Sequence, residues 1–223
     1  MSRRALLLGA TGLVGARVLD RLLADDRWQQ LVVISRRPLA IRHDKLRVIE
    51  CSLEQLDTLG AEFAVDDVFC CLGTTMKQAG SRAAFARVDH DYCVTAARLA
   101  RDAGAPRFLM VSAVNANSNG VSFYARTKGR AEQDVAALGI PLTVFMQPSL
   151  LQGERQQQRL AEEAGLRVMG ALLPLVRWSG AAWLPVQASR VADAMVAVAL
   201  FGPDTGLWRL RYRQIENYAQ QLR

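Results

Sequence analysis

The sequence predicts an α/β protein, a doubly wound parallel sheet with helices on both faces. Two observations carry that prediction. Short apolar runs alternate with amphipathic stretches from Ala5 to Met146. The first run ends in three glycines at spacing G-x-x-G-x-x-G, namely Gly9, Gly12 and Gly15, and these lead directly into an amphipathic stretch.

Taken in order, Ala5 to Leu8 forms the first strand, continuously apolar as a strand buried on both faces should be. Gly9 permits the tight turn out of it. Gly12 lets the backbone approach a pyrophosphate without a side chain in the way, and Gly15 lets the next helix lie close to the sheet. That helix is Leu13 to Ala24, with Val14, Val18, Leu19, Leu22 and Leu23 on one face. Its N-terminus aims N–H groups and a positive dipole end outward, which suits phosphate. A glycine triplet alone is a weak signal. Placed between a strand and a helix, it reads as a dinucleotide-binding turn lined by Gly9, Thr11, Gly12, Leu13, Val14 and Gly15.

Leu31 to Ser35 is the second strand, followed at once by Arg36, Arg37 and Pro38. Leu46 to Ile49 is the third. Ser52 caps a short helix, with Gln55 completing a capping box. Asp67 to Leu72 is the fourth strand, ending in Gly73-Thr74-Thr75. A long helix covers Arg82 to Ala103 and is closed by Gly104 and Pro106. Arg107 to Val111 is the fifth strand and ends at Ser112. A turn-rich loop, Asn115 to Gly120, leads to a helix over Tyr124 to Leu138, and Leu142 to Met146 is the sixth strand.

Beyond Gln147-Pro148-Ser149 the rhythm changes. Glu154 to Ala164 reads as a polar helix, Leu166 to Leu184 is apolar with Trp178 and Trp183, and Ser189 to Phe201 is an apolar helix. Leu207 to Arg213 alternates as a strand with one wet face. The expectation is one Rossmann-type domain over residues 1–223, in which 150–223 includes a small segment covering the carboxyl ends of the strands, where ligands bind in such sheets.

Composition narrows the class. A chain of 223 residues, 51% of them hydrophobic, can bury a full core. The net charge of +7 comes from scattered arginines without a stacked aromatic platform, so nucleic acid is not an expected partner. Cys51, Cys70, Cys71 and Cys93 form no C-x-x-C pair and there are two histidines, His43 and His90, so no metal site is expected. The cysteines suit a reducing compartment. The basic, apolar start of the chain reads as the first strand rather than a targeting segment, and no apolar stretch is long enough to span a bilayer. The expected location is cytoplasmic.

A second constellation carries chemistry. Tyr124 and Lys128 are four apart on a predicted helix and share a face. Neither side chain alone is a good acid–base at neutral pH, since both titrate near ~10. A lysine ammonium beside a phenol favours the phenolate and lowers the tyrosine pKa. Tyr124 then exchanges a proton with a substrate oxygen while hydride moves on a nicotinamide. Ser112, at the end of the fifth strand, is placed to bond the same oxygen. The end of the second strand selects the nucleotide. An NAD site commonly has an acid there. Ser35, Arg36 and Arg37 stand there instead, and two guanidinium groups hold a 2′-phosphate, so the expected cofactor is NADP(H) rather than NAD(H).

These segments together resemble an atypical short-chain dehydrogenase/reductase, in the branch of the Tat-interacting oxidoreductase-like proteins. The resemblance rests on Gly9-Ala10-Thr11-Gly12-Leu13-Val14-Gly15, Ser35-Arg36-Arg37-Pro38, Cys71-Leu72-Gly73-Thr74-Thr75, Ala79-Gly80-Ser81 with Val88-Asp89-His90-Asp91-Tyr92, and Tyr124-Ala125-Arg126-Thr127-Lys128-Gly129 with Ala131-Glu132. It implies that Leu72, Gly73 and Thr74 line the cofactor, that Lys128 also bonds the nicotinamide ribose, and that Pro148-Ser149-Leu150 lies over the nicotinamide. Ser52 and Leu53 fall on the adenine side. Three positions depart from the pattern. Asp89 replaces a common Asn, Gln147-Pro148-Ser149 replaces Arg-Pro-Gly, and Cys51-Ser52 stands where an acid often contacts adenine.

The leading reading is an NADP(H)-dependent oxidoreductase acting on a small carbonyl or alcohol, with Ser112, Tyr124 and Lys128 as catalytic residues. A rival is a cofactor-binding regulator or scaffold with little turnover, since fold does not fix function. A nucleotide-sugar epimerase or dehydratase is a third, disfavoured by the short C-terminal portion. The substrate is a small molecule that the sequence does not specify, and the chain is a monomer or homodimer.

Overall fold

The computed structural model describes residues 2–152 and 184–222. Seven strands form one parallel sheet: β1 (Arg3–Leu8), β2 (Trp28–Ser35), β3 (Leu46–Glu50), β4 (Asp67–Cys70), β5 (Arg107–Val111), β6 (Leu142–Met146) and β9 (Gly206–Leu210), in the order β3-β2-β1-β4-β5-β6-β9. A separate short parallel pair joins β7 (Leu151–Gln152) to β8 (Val186–Gln187).

The strands are apolar on both sides because helices cover both faces. Along β1, Ala5 and Leu7 point to one core and Leu6 and Leu8 to the other. The first core is closed by α1 (Leu13–Ala24), α6 (Ala188–Phe201) and α7 (Tyr212–Gln220), through Val18, Leu22, Met195 and Ile215. The second is closed by a 3-10 helix (Leu53–Phe63), α4 (Tyr92–Asp102) and α5 (Phe123–Ala137), through Leu56, Phe63, Ala96 and Val135. Full burial of a large aliphatic or aromatic side chain contributes about 1.5–3 kcal/mol, so this double layer is the main source of stability. At the amino-terminal edge, fully buried Asp67 accepts from Arg3 Nη2 at 2.7 Å and Trp28 Nε1 at 2.9 Å.

Several boundaries differ from those expected. The Arg82–Ala103 helix is not uniform: α2 (Met76–Ala79) precedes α3 (Arg82–Ala86), a π-helical turn occupies Arg87–Asp91, and α4 follows. The π turn inserts a residue into the helical ladder, a device frequent at functional sites. The fourth strand stops at Cys70, because the chain leaves the sheet after Cys71 N–H reaches Leu8 O at 2.9 Å. Ser52 caps its helix through Glu54 N–H at 3.4 Å, while the Gln55 side chain faces Cys51 Sγ rather than closing a capping box.

The last strand also ends early, at Leu210, and α7 begins at Tyr212. The Gln214 side chain accepts Arg211 N–H at 2.9 Å and starts the helix, which buries Ile215 and Ala219. Because β9 is an edge strand, Leu207 and Trp208 are both exposed, so the expected single wet face is not seen. In the described part of the C-terminal third, β9 extends the sheet and α6 packs against α1 and α7 on one of its faces. The helix expected at 154–164, the bulk of the apolar stretch 166–184, and Trp178 and Trp183 lie outside the described residues. Among the described residues no helix is long and apolar enough to cross a membrane.

Candidate functional site

The glycine turn is built by the fold at two of its positions and left open at the third. Gly9 has φ +82°, and a Cβ there would lie 2.4 Å from Cys71 O. A Cβ on Gly15 would lie 2.1 Å from Gly9 O, so α1 touches the turn with bare backbone. Gly12 differs. Its φ of −80° and ψ of 170° suit any residue, and a Cβ would meet Gly9 O at 3.3 Å. No side chain caps α1. Thr11 and Gly12 are exposed, whereas Val14 and Gly15 are buried and offer only backbone. A turn whose outer glycine is required by neither its dihedrals nor a hard clash, at an uncapped helix N-terminus, fits a pyrophosphate.

At the end of β2, Ser35 Oγ accepts Arg37 N–H at 3.3 Å, and Arg36 and Arg37 are exposed to solvent. Ser52 is exposed beyond β3, but Leu53 is a core residue and reaches any ligand only through its backbone. Leu72 is likewise in the core, with Gly73 exposed and Thr74 half-buried after it.

The structure brings β4, the π turn and α5 together at one point. Asp89, on the π turn and almost wholly buried, accepts Thr74 N–H at 2.8 Å through Oδ2 and meets Lys128 Nζ at 2.8 Å through Oδ1. Lys128 Nζ also lies 3.5 Å from Val111 O, at the end of β5. Gly73 covers the pair: a Cβ there would be 3.4 Å from Asp89 Oδ1 and 3.8 Å from Lys128 Nζ. Burial works against the Lys128 ammonium, but Asp89, Cys93 and Tyr124 together outweigh it and hold the lysine above its ordinary pKa.

Tyr124, one turn earlier on α5, packs on buried Phe85 with ring centroids 5.6 Å apart. Here the sequence expectation is corrected. Lys128 does act to lower the phenol pKa, but burial raises it more strongly and Asp89 opposes the lysine, so the net shift is upward. Burial of the phenol is the main cause, and the Asp89 carboxylate adds to it by offsetting part of the lysine's charge.

Ser112 stands where expected and has a protein partner that the sequence did not show. It is buried at the end of β5, and its hydroxyl donates to Glu132 Oε1 at 2.5 Å. Its hydrogen is therefore committed within the protein. Glu132 also receives Gln147 Nε2 and Arg209 Nε, both within 2.9 Å. Glu132 stands four residues after Lys128, so a charged side chain on the buried face of α5 was the available signal. Pro148 is buried, its carbonyl accepting Val114 N–H at 3.0 Å. Ser149 Oγ donates to Leu184 O, and Leu150 is exposed. Gly129 fixes the Asn115–Gly120 loop against α5, since a Cβ there would lie 2.2 Å from Ser118 N.

The sequence model of the family described as NAD(P)H-binding matches residues 9–199. Protein FMP52, mitochondrial, from Meyerozyma guilliermondii is 35% identical over 172 residues, covering 76% of this chain and 74% of the relative. Protein HTATIP2 from Rattus norvegicus is 30% identical over 175 residues, covering 77% and 72%. Among solved structures, MoeE5 in complex with UDP-glucuronic acid and NAD aligns with a TM-score of 0.71 at 18% identity, covering 93% of this chain and 75% of that one. The UDP-glucose 4-epimerase of Thermotoga maritima aligns at 0.68 and 15%, covering 98% and 81%. These two likenesses concern the fold. The fungal relatives carry "mitochondrial" in their names, which overturns the cytoplasmic location expected from the sequence.

Proposed function

The chain belongs to the NAD(P)H-binding family, as an atypical short-chain dehydrogenase/reductase resembling HTATIP2, and from that premise we propose that it is an NADP(H)-dependent oxidoreductase acting on a small carbonyl or alcohol. The observation that carries the reading is the meeting of Thr74, Asp89 and Lys128 beside Tyr124. In this reading Gly9, Thr11, Gly12 and Leu13, with backbone from Val14 and Gly15, hold the pyrophosphate, and Arg36 and Arg37 hold the 2′-phosphate. Ser35 orders that turn, Ser52 and the Leu53 backbone flank the adenine, and Leu72, Gly73 and Thr74 flank the ribose. Pro148, Ser149 and Leu150 border the nicotinamide. The bound cofactor supplies or accepts a hydride.

The chain's own residues handle the proton. Asp89 keeps Lys128 charged and pointed at the β4 and β5 ends. Because its pKa is raised, Tyr124 stays protonated at neutral pH and serves first as the acid that donates to a substrate carbonyl oxygen. The fit is thus better for carbonyl reduction than for alcohol oxidation. Residues 1–223 act as one domain in this account. The chain works as a monomer or homodimer without nucleic acid.

The same upward pKa supports a second reading, a cofactor-binding scaffold with little turnover, because a phenol that does not ionise is a poor base. A tryptophan-fluorescence titration with NADPH and NADH tests the shared premise. Selective NADPH binding supports the cofactor assignment, and tighter NADH binding refutes the Arg36–Arg37 argument. The two readings then part on whether Tyr124→Phe abolishes turnover.

A further inference from the structure

The seven-stranded sheet ends at β9, and among the described residues no strand lies beyond it. An edge of this kind templates pairing with another chain unless a proline, a bulge or an outward charge blunts it. β9 reads Gly206-Leu207-Trp208-Arg209-Leu210 and carries no proline. Its one charged side chain, Arg209, is turned back to buried Glu132 at 2.9 Å and over the Phe145 ring at 5.4 Å. Leu207 and Trp208, on opposite faces of the strand, are left 46% and 45% exposed.

The backbone register decides what fits this edge. Gly206 N–H bonds Pro141 O at 2.7 Å, and Leu210 O accepts Gln147 N–H at 2.7 Å, both on the β6 side. With a period of two, Gly206, Trp208 and Leu210 turn their backbone groups to β6, while Leu207 and Arg209 turn theirs outward. A two-fold axis through Trp208, with the strands antiparallel, sets Leu207 of each copy opposite Arg209 of the other. Each such pair exchanges two hydrogen bonds, so every outward N–H and C=O of both edges is met. Trp208 then faces its own copy in the non-hydrogen-bonded position, where side chains stand closest and aromatic pairs are favourable. The charges agree with this register. Thr205 comes opposite Arg211 of the other copy, so the carboxylate of Asp204, 97% exposed, lies one place from that exposed guanidinium, and the contact occurs twice.

We infer that β9 is the contact of a homodimer, in which two copies of this chain pair their β9 edges antiparallel about a two-fold axis at Trp208 and so continue one sheet into the next. The inference does not rest on the oxidoreductase reading. A five-residue edge makes a small contact, so the dimer forms at micromolar concentration and dissociates on dilution.

The test is the mass of the full chain in solution, read by analytical ultracentrifugation from about 1 to 200 µM. Wild type is expected to rise from 24.5 kDa toward twice that value. Trp208→Lys sets two ammonium groups opposite each other at the axis, and Leu207→Lys sets one opposite Arg209 of the other copy, so each raises the dimer Kd by about tenfold or more. Both side chains are nearly half exposed, so Tm and the shape of the monomer stay as in wild type. Should Trp208→Lys lower Tm, Leu207→Lys decides. The register is read separately with Trp208→Cys. Residues paired at that position have Cα atoms about 4.5 Å apart, within disulfide reach, so oxidised glutathione is expected to give a linked dimer that excess thiol reverses. Wild type, with its own four cysteines, and Val121→Cys, at a 99% exposed position before α5, are the controls and link about tenfold more slowly or not at all. The inference is overturned by a wild type that keeps the monomer mass throughout, by a dimer that survives both lysine variants, or by Trp208→Cys linking no faster than Val121→Cys.

Discussion

Gly12→Ala and Gly15→Ala place the same methyl group three residues apart, and the structure predicts opposite phenotypes. At Gly15 the added Cβ would sit 2.1 Å from Gly9 O and 2.7 Å from Gly9 C, both backbone atoms that cannot swing aside. Alanine gains up to about 1 kcal/mol of helix propensity over glycine. Overpacking of this kind costs about 1–3 kcal/mol or more, and here α1 must also move by more than a tenth of its diameter, roughly an ångström, away from the sheet. The upper end of that cost less the propensity gain is about 2 kcal/mol, and with a shift of about 2–4 °C per kcal/mol for a chain of this size Tm falls by roughly 4–8 °C. At Gly12 the dihedrals are ordinary and the nearest atom is Gly9 O at 3.3 Å, a contact that relaxes by a few tenths of an ångström. Tm then changes by about 2 °C or less, in line with surface substitutions. The methyl group instead occupies the line of approach to the helix N-terminus, and NADPH affinity falls by about tenfold or more, equivalent to about 1.4 kcal/mol. Differential scanning fluorimetry and NADPH titration on the same preparations separate the two effects. The reasoning is refuted if Gly12→Ala binds NADPH like wild type, or if it unfolds as readily as Gly15→Ala.

Three further outcomes follow from the same geometry. Arg36→Ala should weaken NADPH by about tenfold while leaving NADH unchanged, as expected for one charged hydrogen bond to a 2′-phosphate, and paired titrations measure it. Asp89→Ala leaves the Lys128 ammonium buried without its partner and Thr74 N–H without an acceptor, so urea unfolding should show a loss of about 3–5 kcal/mol, whereas Asp89→Asn should retain the Thr74 bond and lose less. Tyr124 and Lys128 both have folded pKa values above their ordinary ones, so their stabilising contribution is complete below about pH 10 and is lost as pH rises through the folded values. Urea midpoints measured from pH 8 to 11 should therefore fall more steeply at the alkaline end in wild type than in Tyr124→Phe.

The elements most legible in the sequence were those whose signals are local. The bounds of α1, β5 and β6 follow from apolar periodicity and adjacent glycine or proline stops, and the structure places them at Leu13–Ala24, Arg107–Val111 and Leu142–Met146. The π turn was not legible, because its cause is tertiary: Asp89 is drawn to Lys128 and to Thr74 N–H from another strand end. The boundary between β9 and α7 was hidden because Arg209 and Arg211 continue the strand alternation, while the helix start depends on the Gln214 side chain. Tyr124 and Lys128 were legible as a pair, but the sign of the tyrosine shift was not, since neither burial nor the facing Asp89 can be read from an i,i+4 spacing. The bond from Ser112 to Glu132 was not legible because its acceptor lies 20 residues away on α5, and that acceptor is in turn held by Arg209, 77 residues further on.

The central claim is that Tyr124 donates the proton in an NADPH-driven reduction. Its most direct test is the rate of NADPH oxidation by wild type and Tyr124→Phe across a carbonyl panel, with NADPH Kd determined in parallel. The account predicts turnover in wild type, a loss of about 10²-fold or more in Tyr124→Phe, as for removal of a general acid, and an unchanged NADPH Kd. Full turnover in Tyr124→Phe would contradict it, as would a wild type that binds neither NADPH nor NADH.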